Sequence, residues 1–366
     1  MKSKYILEQT LAKTLRHLHL SEHGSPHPVL NEDSIQGLSK DLLGLVERAV
    51  SGKFEIQVIS FEELKSRLDS LLEKMFQKYP DATAVTTDRD LAFFRGIPCL
   101  ELNRLIAPSL RPRWEWKSTG GSCSGEYGEI IGVGPRPGTH NLEKQMQSIK
   151  SRVGNGAVVI LEDGAFTGST LRLILNLFQQ AKIEIVGIVL GFLFPAAAQQ
   201  LADYNFKGEV LYWMGPEDLN DHAEWMPDHD FLPFMPGSGR VVGYTLNGRH
   251  RPVYNLNGFH LCKPYIYPFG DPTEWASIPS ENAHIFSRDC LLLAENLFWE
   301  INRSIGADAP LVLKHLRSTR IPRVGIPVSV TSQEFPDLNQ SIVGLIKEYR
   351  ASVEFDLASK RRVVVS

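Results

Sequence analysis

Two neighbouring acids, Glu162 and Asp163, stand between an apolar run and a stretch of small, hydroxylated residues. The apolar run, Val158 to Leu161, has the composition of a strand buried on both faces. Beyond the acids, apolar residues between 171 and 178 recur with the period of a helix. The acids are therefore expected in a strand-to-helix loop over 162–169, at the carboxyl edge of a sheet, where open α/β sheets bind ligands.

The end of this loop has the composition of a phosphate-binding turn. Residues 167–170 (TGST) begin the helix, where free backbone N–H groups and the positive end of the helix dipole attract an anion. Gly168 lets the backbone approach that anion closely, and the neighbouring hydroxyls add donors. Two adjacent carboxylates can each accept a hydrogen bond from one of two vicinal hydroxyls. These residue types predict a site for a ribose that carries a 5′-phosphate.

The segments around this loop alternate between strand and helix patterns. Strands are predicted at 54–59, 84–87, 98–102, 158–161 and 183–194, and helices at about 61–79, 90–95, 141–152 and 170–180. This order predicts a parallel sheet with right-handed crossovers.

The flanking segments have other patterns. Residues 1–50 are predicted to be mainly helical, with Leu7, Leu11, Leu15 and Leu18 on one amphipathic face. Residues 105–140 contain seven glycines and four prolines, which favours a long mobile loop or an irregular hairpin. The chain beyond 250 carries a strong helix at about 287–304 and another near 338–350.

Composition narrows the class of protein. The 366 residues carry a formal net charge of −3, which gives no reason to expect nucleic acid or an anionic membrane as partner. The N-terminus is a poor signal peptide, and no stretch reaches the ~20 apolar residues of a spanning helix.

The four cysteines lack CxxC spacing and are predicted to be reduced thiols, with Cys123 in a Gly/Ser loop either a nucleophile or an incidental residue. A cytoplasmic protein is expected.

Residues 158–170 resemble the PRPP-binding motif of the type I phosphoribosyltransferases. Four apolar residues, two acids, three variable residues and T-G-x-T occur here in that order, and the motif residues are Glu162, Asp163, Gly164, Ala165, Phe166, Thr167, Gly168, Ser169 and Thr170. The alternative is a Rossmann-like loop with accidental acids. The resemblance implies a Rossmann-like parallel sheet of the type I phosphoribosyltransferase kind, with a helical N-terminal extension and a C-terminal α+β or irregular extension.

The resemblance also implies a pyrophosphate loop after an earlier strand, which would fall on Thr86 to Arg89. Arg89 would hold pyrophosphate there, although Asp88 and Asp90 are unusual beside an anion. Arg104 occupies the position of a basic residue that ends the family's next strand. The 105–140 segment is similar in place to the family's flexible hood, and its basic residues Arg111, Arg113 and Lys117 would cover the pyrophosphate. Each of these basic residues also has an interpretation as a surface residue.

The acceptor side is expected in residues 230–262, which are faintly similar to the base-binding end of hypoxanthine-guanine phosphoribosyltransferases. Arg240 occupies the base-stacking aromatic position, and an arginine plane can stack on a ring. Asn247 replaces an acid after V-G-Y-x-L.

A further group of acids and histidines precedes this segment, and its interpretations are a metal site or a polar hood loop. Its members are Asp218, Asp221, His222, Asp228, His229 and Asp230. Their spacing fits no specific metal site.

The leading interpretation is a Mg²⁺-dependent phosphoribosyltransferase, in which a nitrogen nucleophile such as a nucleobase displaces pyrophosphate from PRPP. Glu162, Asp163, Arg89 and Arg104 are the expected catalytic residues, and no protein-only metal site is expected. The partners would be PRPP and a small-molecule acceptor, without nucleic acid or membrane, and a homodimer stays open. The alternatives are a non-catalytic PRPP or nucleotide sensor and a related hydrolase that cleaves a nucleotide.

The expected domains are three consecutive segments. Residues 1–53 would form a helical N-terminal extension and 54–250 a phosphoribosyltransferase-like domain with the mobile loop 105–140. Residues 251–366 would form a C-terminal hood or interaction region.

Overall fold

The computed structural model describes residues 3–16, 18, 30–87, 99–102, 104–108, 130–135, 139–202, 204, 207–213, 224–241, 243–246, 249–252, 260–304, 310–316, 320–322 and 337–365. The strands are β1 (Ser3–Gln9), β2 (Phe54–Ser60), β3 (Thr83–Thr86), β4 (Leu100–Glu101), β5 (Arg104–Pro108), β6 (Ile130–Pro135), β7 (Ala157–Ala165), β8 (Glu184–Leu193), β9 (Lys207–Trp213), β10 (Glu224–Pro227), β11 (Arg240–Val241), β12 (Gly243–Leu246), β13 (Arg249–Pro252), β14 (His260–Lys263) and β15 (Arg320–Pro322). The helices are α1 (Leu11–Arg16), α2 (Glu32–Val50), α3 (Phe61–Lys78), α4 (Leu142–Val153), α5 (Ser169–Gln180), α6 (Pro195–Leu201), α7 (Pro272–Trp275), α8 (Ala283–Ser304) and α9 (Ile342–Val365). Within these ranges, no helix has the length and hydropathy that a membrane crossing requires.

The chain forms two compact units that are not consecutive in sequence. Unit 1 comprises Met1–Phe61, Asp221–Val242 and Val253–Ser366, and unit 2 comprises Glu62–Asn220 and Gly243–Pro252. This division differs from the expected three consecutive segments, because the two ends of the chain belong to one unit. Contacts between residues far apart in sequence decide such a division, and local composition does not reveal them.

Unit 1 contains a sheet in the order β10-β1-β2, in which β1 pairs in parallel with both neighbours. The helical expectation for residues 1–50 is therefore wrong at its start. Leu7 lies in β1 and is fully buried, whereas Leu11 and Leu15 lie in α1. Because β1 is a central strand buried on both faces, its side chains show no alternation between polar and apolar residues. The spacing of the leucines therefore agreed with the period of a helix although this segment is a strand.

Unit 2 contains a five-stranded sheet in the order β4-β3-β7-β8-β9, and every pair in it is parallel. The predicted parallel α/β sheet is thus confirmed. Apolar residues of α4, α5 and α6 pack with alternate residues of the strands in one core. Leu64 of α3 approaches Gly191 of β8, on the opposite face of the sheet.

Two antiparallel hairpins accompany this sheet in unit 2, β5–β6 and β12–β13, and they lie against each other. The strands β5 and β6 are the two ends of the predicted 105–140 loop, so its irregular-hairpin form is present at the base. Residues 109–129 and the predicted helix at 90–95 lie outside the described residues.

Candidate functional site

The two acids of the motif lie inside a strand and not after it. Strand β7 runs on to Ala165, because Gly164 and Ala165 still pair with Phe192 and Leu193 of β8. The predicted loop over 162–169 is therefore shortened to three residues, 166–168, before α5 begins. Successive side chains of a strand point to opposite faces of the sheet, so the two carboxylates are separated by the sheet.

Glu162 lies on the core face and is almost fully buried, with 3% of its surface exposed. Its Oε1 accepts a short hydrogen bond from the Thr87 hydroxyl, which follows the end of β3. This bond joins the carboxyl ends of two adjacent parallel strands. Glu162 thus has a positioning role in the described structure, whatever it does toward a ligand.

Asp163 lies on the other face and is half-buried. Its Oδ1 accepts a hydrogen bond of 2.7 Å from the backbone N–H of Gly164. A Cβ at position 191 would collide with the carbonyl oxygen of Asp163, so glycine there lets β8 approach β7 at this point. Asp163 is the more accessible of the two carboxylates and the better placed to accept from a ligand hydroxyl.

The N-terminus of α5 has donors but no capping side chain. Gly168 is the N-cap residue, and the first intrahelical bond runs from the N–H of Arg172 to the Gly168 carbonyl, at 2.8 Å. Thr170 and Leu171 lie before Arg172 in the first turn, where N–H groups have no intrahelical acceptor. Their N–H groups are therefore available to an anion. The Thr167 hydroxyl donates to the Ser169 hydroxyl at 3.2 Å and accepts from the Ser169 N–H at 3.4 Å, so the Ser169 hydroxyl is the further donor at this turn.

Gly168 is required for two reasons beyond the approach of a ligand. Its φ is +75°, in the left-handed region that favours glycine. A Cβ at this position would also lie 3.0 Å from Cα of Ala197 in α6, which is tighter than a normal contact. The TGST turn is thus packed against the start of the next helix.

One variable residue of the motif, Phe166, forms an aromatic contact beside the turn. Phe166 stacks on Phe194, with ring centroids 4.4 Å apart and an interplanar angle of 20°. The Phe194 N–H donates to the Ala165 carbonyl at 3.1 Å, which holds the ends of β7 and β8 together. Phe166 is 39% exposed and forms an apolar border of the turn.

Two further groups that the sequence did not single out lie at this edge, Glu101 and Cys99. Glu101 ends β4 beside Thr86 of β3, and its Oε1 is buried without a hydrogen-bond partner among the described residues. Burial, then the charges of Glu162 and Glu101, raise the pKa of Cys99 to about 12. Cys99 is therefore a neutral thiol at physiological pH. Only the alignment of strand ends could have pointed to Glu101.

The strand order favours this edge as the place for a ligand. From β3 the chain moves outward to β4, and from β7 it moves outward in the opposite direction to β8 and β9. The crevice between the carboxyl ends of β3 and β7 is thus the point where the strand order reverses, which is where open α/β sheets bind ligands. Thr87 and Glu162 flank that crevice.

Arg240, the expected base-stacking residue, belongs to unit 1, whereas the motif belongs to unit 2. Its guanidinium carbon lies 3.5 Å from the centroid of the Trp275 ring, and its Nε donates to the Tyr265 hydroxyl at 3.4 Å. One face of the guanidinium is therefore already covered by an indole. A stacked base would have to use the other face.

The described part of the acidic and histidine-rich group is structural. Asp228 is buried and its Oδ1 accepts from the N–H groups of Thr10 and Leu11, at 2.8 and 2.7 Å. Asp230 accepts from the N–H of Gly239 at 2.8 Å. Within the described ranges, no three or more His, Cys, Asp or Glu side chains are grouped as metal ligands. Asp218, Asp221 and His222 lie outside these ranges.

Most of the other predicted site residues lie outside the described residues. Arg89, with Asp88 and Asp90, lies outside the described residues, as do Arg111, Arg113, Lys117 and Cys123. Arg104 is the first residue of β5, and its backbone pairs with Pro135 of β6.

Comparisons with known proteins give matches among solved structures only. No protein-family model matches the chain, and no curated protein matches it. A hypothetical protein from Neisseria gonorrhoeae with bound ppGpp is 12% identical, with a TM-score of 0.29, over 46% of this chain and 85% of that one. Adenine phosphoribosyltransferase from Thermoanaerobacter pseudethanolicus is 12% identical, with a TM-score of 0.26, over 44% and 90%. Orotate phosphoribosyltransferase from Mycobacterium tuberculosis in complex with PRPP is 12% identical, with a TM-score of 0.23, over 56% and 93%.

These similarities are low in both identity and TM-score, so the functional interpretation depends on the chain's own motif and topology. Phosphoribosyltransferases, the family that residues 158–170 resemble, occur among the matched structures.

Proposed function

We propose that the chain is a Mg²⁺-dependent phosphoribosyltransferase that binds PRPP at the junction of β7 and α5 and transfers its ribose phosphate to a nitrogen nucleophile such as a nucleobase. The observation that supports this most is the uncapped N-terminus of α5, which opens at the reversal point of the strand order beside an accessible carboxylate. A ribose 5-phosphate carries a dianion that suits the helix N-terminus and vicinal hydroxyls that suit the carboxylate.

The proposed roles follow from the contacts. The N–H groups of Thr170 and Leu171, with the nearby hydroxyls, would bind the 5′-phosphate. Asp163 would accept from a ribose hydroxyl. Glu162 would keep the end of β3 in place through Thr87, so that the residues after Thr87 meet the leaving group. Arg89 and Arg104 stay the proposed contacts for pyrophosphate.

Two carboxylates at this edge support the Mg²⁺ of this proposal. Asp163 offers a half-buried carboxylate, and Glu101 offers a carboxylate oxygen without a hydrogen bond among the described residues. One or two carboxylates suit Mg²⁺ when substrate phosphates and waters supply the remaining ligands. Bound there, the ion would neutralise charge that develops on the pyrophosphate as it leaves. The protein's own part is to orient the ribose and to exclude water, because positioning and charge stabilisation carry such a transfer.

Ligand-induced stabilisation tests the binding half of the proposal. PRPP with Mg²⁺ at 100 times its dissociation constant should stabilise the protein by about 2.7 kcal/mol, visible as a rise in melting temperature. Asp163→Asn should abolish that rise while leaving the melting temperature of the free protein within about 2 °C of wild type. Glu184→Gln, an exposed acid at the opposite end of β8, is the matched control and should respond as wild type. Absence of any rise at millimolar PRPP would refute the ribose-phosphate site.

Turnover tests the catalytic half. We expect pyrophosphate release from PRPP only when the correct acceptor is added from a panel of purines, pyrimidines and small amines, and no release after chelation of Mg²⁺. Arg89→Gln and Arg104→Gln should each raise the activation free energy of the reaction by about 2–3 kcal/mol, which is the contribution of one charge-assisted hydrogen bond. PRPP binding without pyrophosphate release from any acceptor would instead leave the sensor interpretation.

A further inference from the structure

Lys263, the last residue of β14, is a buried lysine in unit 1. Among the described residues it is the only lysine that is buried, with 9% of its surface exposed. Leu261 lies on the same face of the strand, two residues earlier, and pairs with Ile321 of β15. Both of these residues are fully buried. The amine of Lys263 therefore belongs to a side chain in apolar surroundings, which is unusual for lysine.

A second cation lies directly opposite Lys263. Arg240 of β11 pairs with Lys263 in antiparallel register, so both side chains are on the same face and their Cβ atoms are about 5 Å apart. A Cβ at position 239 would collide with the carbonyl oxygen of Lys263, and Gly239 has a φ of +63°. Glycine at this position thus lets β11 approach β14 where the two cations are paired.

The guanidinium of Arg240 is held by aromatic side chains. Its carbon lies over the Trp275 ring, and its Nε donates to the Tyr265 hydroxyl. Tyr265 itself stacks on Trp275, with ring centroids 5.6 Å apart. Within the described ranges, the contacts of Arg240 are therefore with rings and a hydroxyl and not with a carboxylate, although the residue is exposed. A fixed, exposed guanidinium of this kind suits a carboxylate or a phosphate.

Burial changes the protonation of two groups beside Arg240. It lowers the pKa of Lys263 to about 8, so that about one quarter of this amine is neutral at pH 7.5. Burial, and then the charge of Asp230, raise the pKa of Tyr265, which is therefore a neutral phenol at this pH. A neutral amine is a nucleophile, and a neutral phenol can donate a proton.

Desolvated lysines and lysines beside another cation are those whose amines react with carbonyl compounds. The lone pair of the Lys263 Nζ would attack the carbonyl carbon, and an amine proton would pass to the carbonyl oxygen to give a carbinolamine. Loss of water then leaves an imine, so the step needs neither an oxidant nor a reductant. An anionic group on the carbonyl compound would pair with the guanidinium of Arg240.

We propose that Lys263 forms an imine with a small aldehyde or ketone that bears a carboxylate or a phosphate, and that Arg240 binds the anionic group. Both residues belong to unit 1, whereas the motif of residues 158–170 belongs to unit 2. The imine site therefore does not depend on whether the chain uses PRPP.

Reductive labelling of the full chain tests the proposal. Glyoxylate, an aldehyde with a carboxylate, is added at pH 7.5 with cyanoborohydride, and labelled lysines are located by peptide mass spectrometry. We expect Lys263 to be labelled more than about tenfold faster than Lys144, an exposed lysine of α4, because an ordinary lysine has only about 0.1% of its amine neutral at this pH. Both lysines are compared in the same wild-type sample, so the result does not depend on the folding of a variant. Labelling of Lys263 that is no faster than that of Lys144 would overturn the proposal.

The role of Arg240 is tested by changing the anionic group. The ratio of Lys263 labelling to Lys144 labelling corrects for the intrinsic reactivity of each aldehyde. We expect this ratio to be several-fold higher for glyoxylate or for glyceraldehyde 3-phosphate than for acetaldehyde, which has no anion. The larger of the two anionic ratios shows whether carboxylate or phosphate is preferred. Arg240→Gln should lower both to the acetaldehyde value, and equal ratios for all three aldehydes in wild type would refute the anion contact.

Omission of cyanoborohydride tests the imine itself. An imine hydrolyses during digestion, so Lys263 should keep the label only when the reductant is present. Lys263→Met should remove the label from this peptide, whereas Lys144→Met is the matched control and should leave the labelling of Lys263 unchanged. A label that persists without reductant would mean that the amine reacts in another way, and would contradict the proposal.

Discussion

The N-termini of α1 and α5 expose the same kind of backbone donors, but the protein satisfies them differently. At α1, the buried carboxylate of Asp228 accepts from two N–H groups and from the Thr10 hydroxyl at 2.8 Å. At α5, the N-cap is Gly168, and no side chain caps the helix. The donors of α1 are thus used within the fold, whereas those of α5 are available to a ligand.

The N-terminus of α1 therefore has a structural use, whereas that of α5 is the one proposed to bind a ligand. Asp228 lies in a part of the chain 217 residues away from Leu11, so its cap fixes tertiary structure. Burial raises the pKa of Asp228, with the neighbouring His229 and the three donors acting in the opposite direction. The Asp228 carboxylate thus satisfies the donors at the N-terminus of α1 despite the free-energy cost of burying its charge. The N-terminus of α5 has no side-chain cap.

Removing the internal cap should have the largest effect. Asp228→Ala leaves three buried donors without an acceptor, and each such loss costs about 1–3 kcal/mol. We expect the free energy of unfolding to fall by about 3 kcal/mol or more in urea denaturation. Asp163→Ala, which removes a half-buried carboxylate at the other site, should cost less than about 1 kcal/mol. Similar losses in the two variants would remove the distinction between the two sites.

Substitution of the α5 N-cap should have the next largest effect. Gly168→Ala places a Cβ on a residue with positive φ, which costs about 1–2 kcal/mol. The same Cβ also makes the close contact with Ala197. The expected loss of stability is about 2 kcal/mol or more, and the response to PRPP should disappear. Gly154→Ala is the matched control, because Gly154 has a φ of +61° but open space around its Cβ position. If both variants lose the same stability, the contact with α6 contributes nothing.

A smaller, pH-dependent effect should follow from Asp228→Asn. The amide oxygen can still accept from the donors of α1, so the loss should stay below about 1 kcal/mol near neutral pH. Because the folded pKa of Asp228 is raised, its carboxyl stabilises the fold fully below the ordinary value of 3.8, and this stabilisation is lost as the pH rises through the folded pKa. The stability of the Asn variant relative to wild type should therefore increase as the pH rises above 3.8. A flat difference between the two proteins from pH 3 to 7 would contradict the raised pKa.

The smallest effect concerns the reactivity of one thiol at the ligand edge. In a Cys123→Ser background, Cys99 should react slowly with a thiol reagent at pH 8, because burial and nearby acids keep it protonated. Glu162→Gln should raise the rate several-fold, and Glu101→Gln should raise it less, since Glu162 has the larger influence. A rate that is unchanged in both variants would mean that these acids do not influence the thiol.

The sequence alone determined the class of fold and the position of the candidate site. The apolar run before Glu162, the change of period after it and the TGST turn are all local patterns, and local patterns fix strands, helices and the turn between them. The sequence did not determine where β7 ends. That depends on pairing of Gly164 and Ala165 with β8, which leaves Glu162 buried against Thr87 and Asp163 accessible on the other face.

Only the tertiary structure decided the roles of residues far apart in the chain. Residues 3–9 become a strand because β2 and β10 pair with both of its edges, and Asp228 becomes a helix cap because the fold brings it to Thr10 and Leu11. Neither role leaves a local signal, since the partners are as many as 219 residues apart between Tyr5 and Glu224 along the chain. Side-chain type shows what a residue can bind, but the partner that satisfies it is chosen by packing.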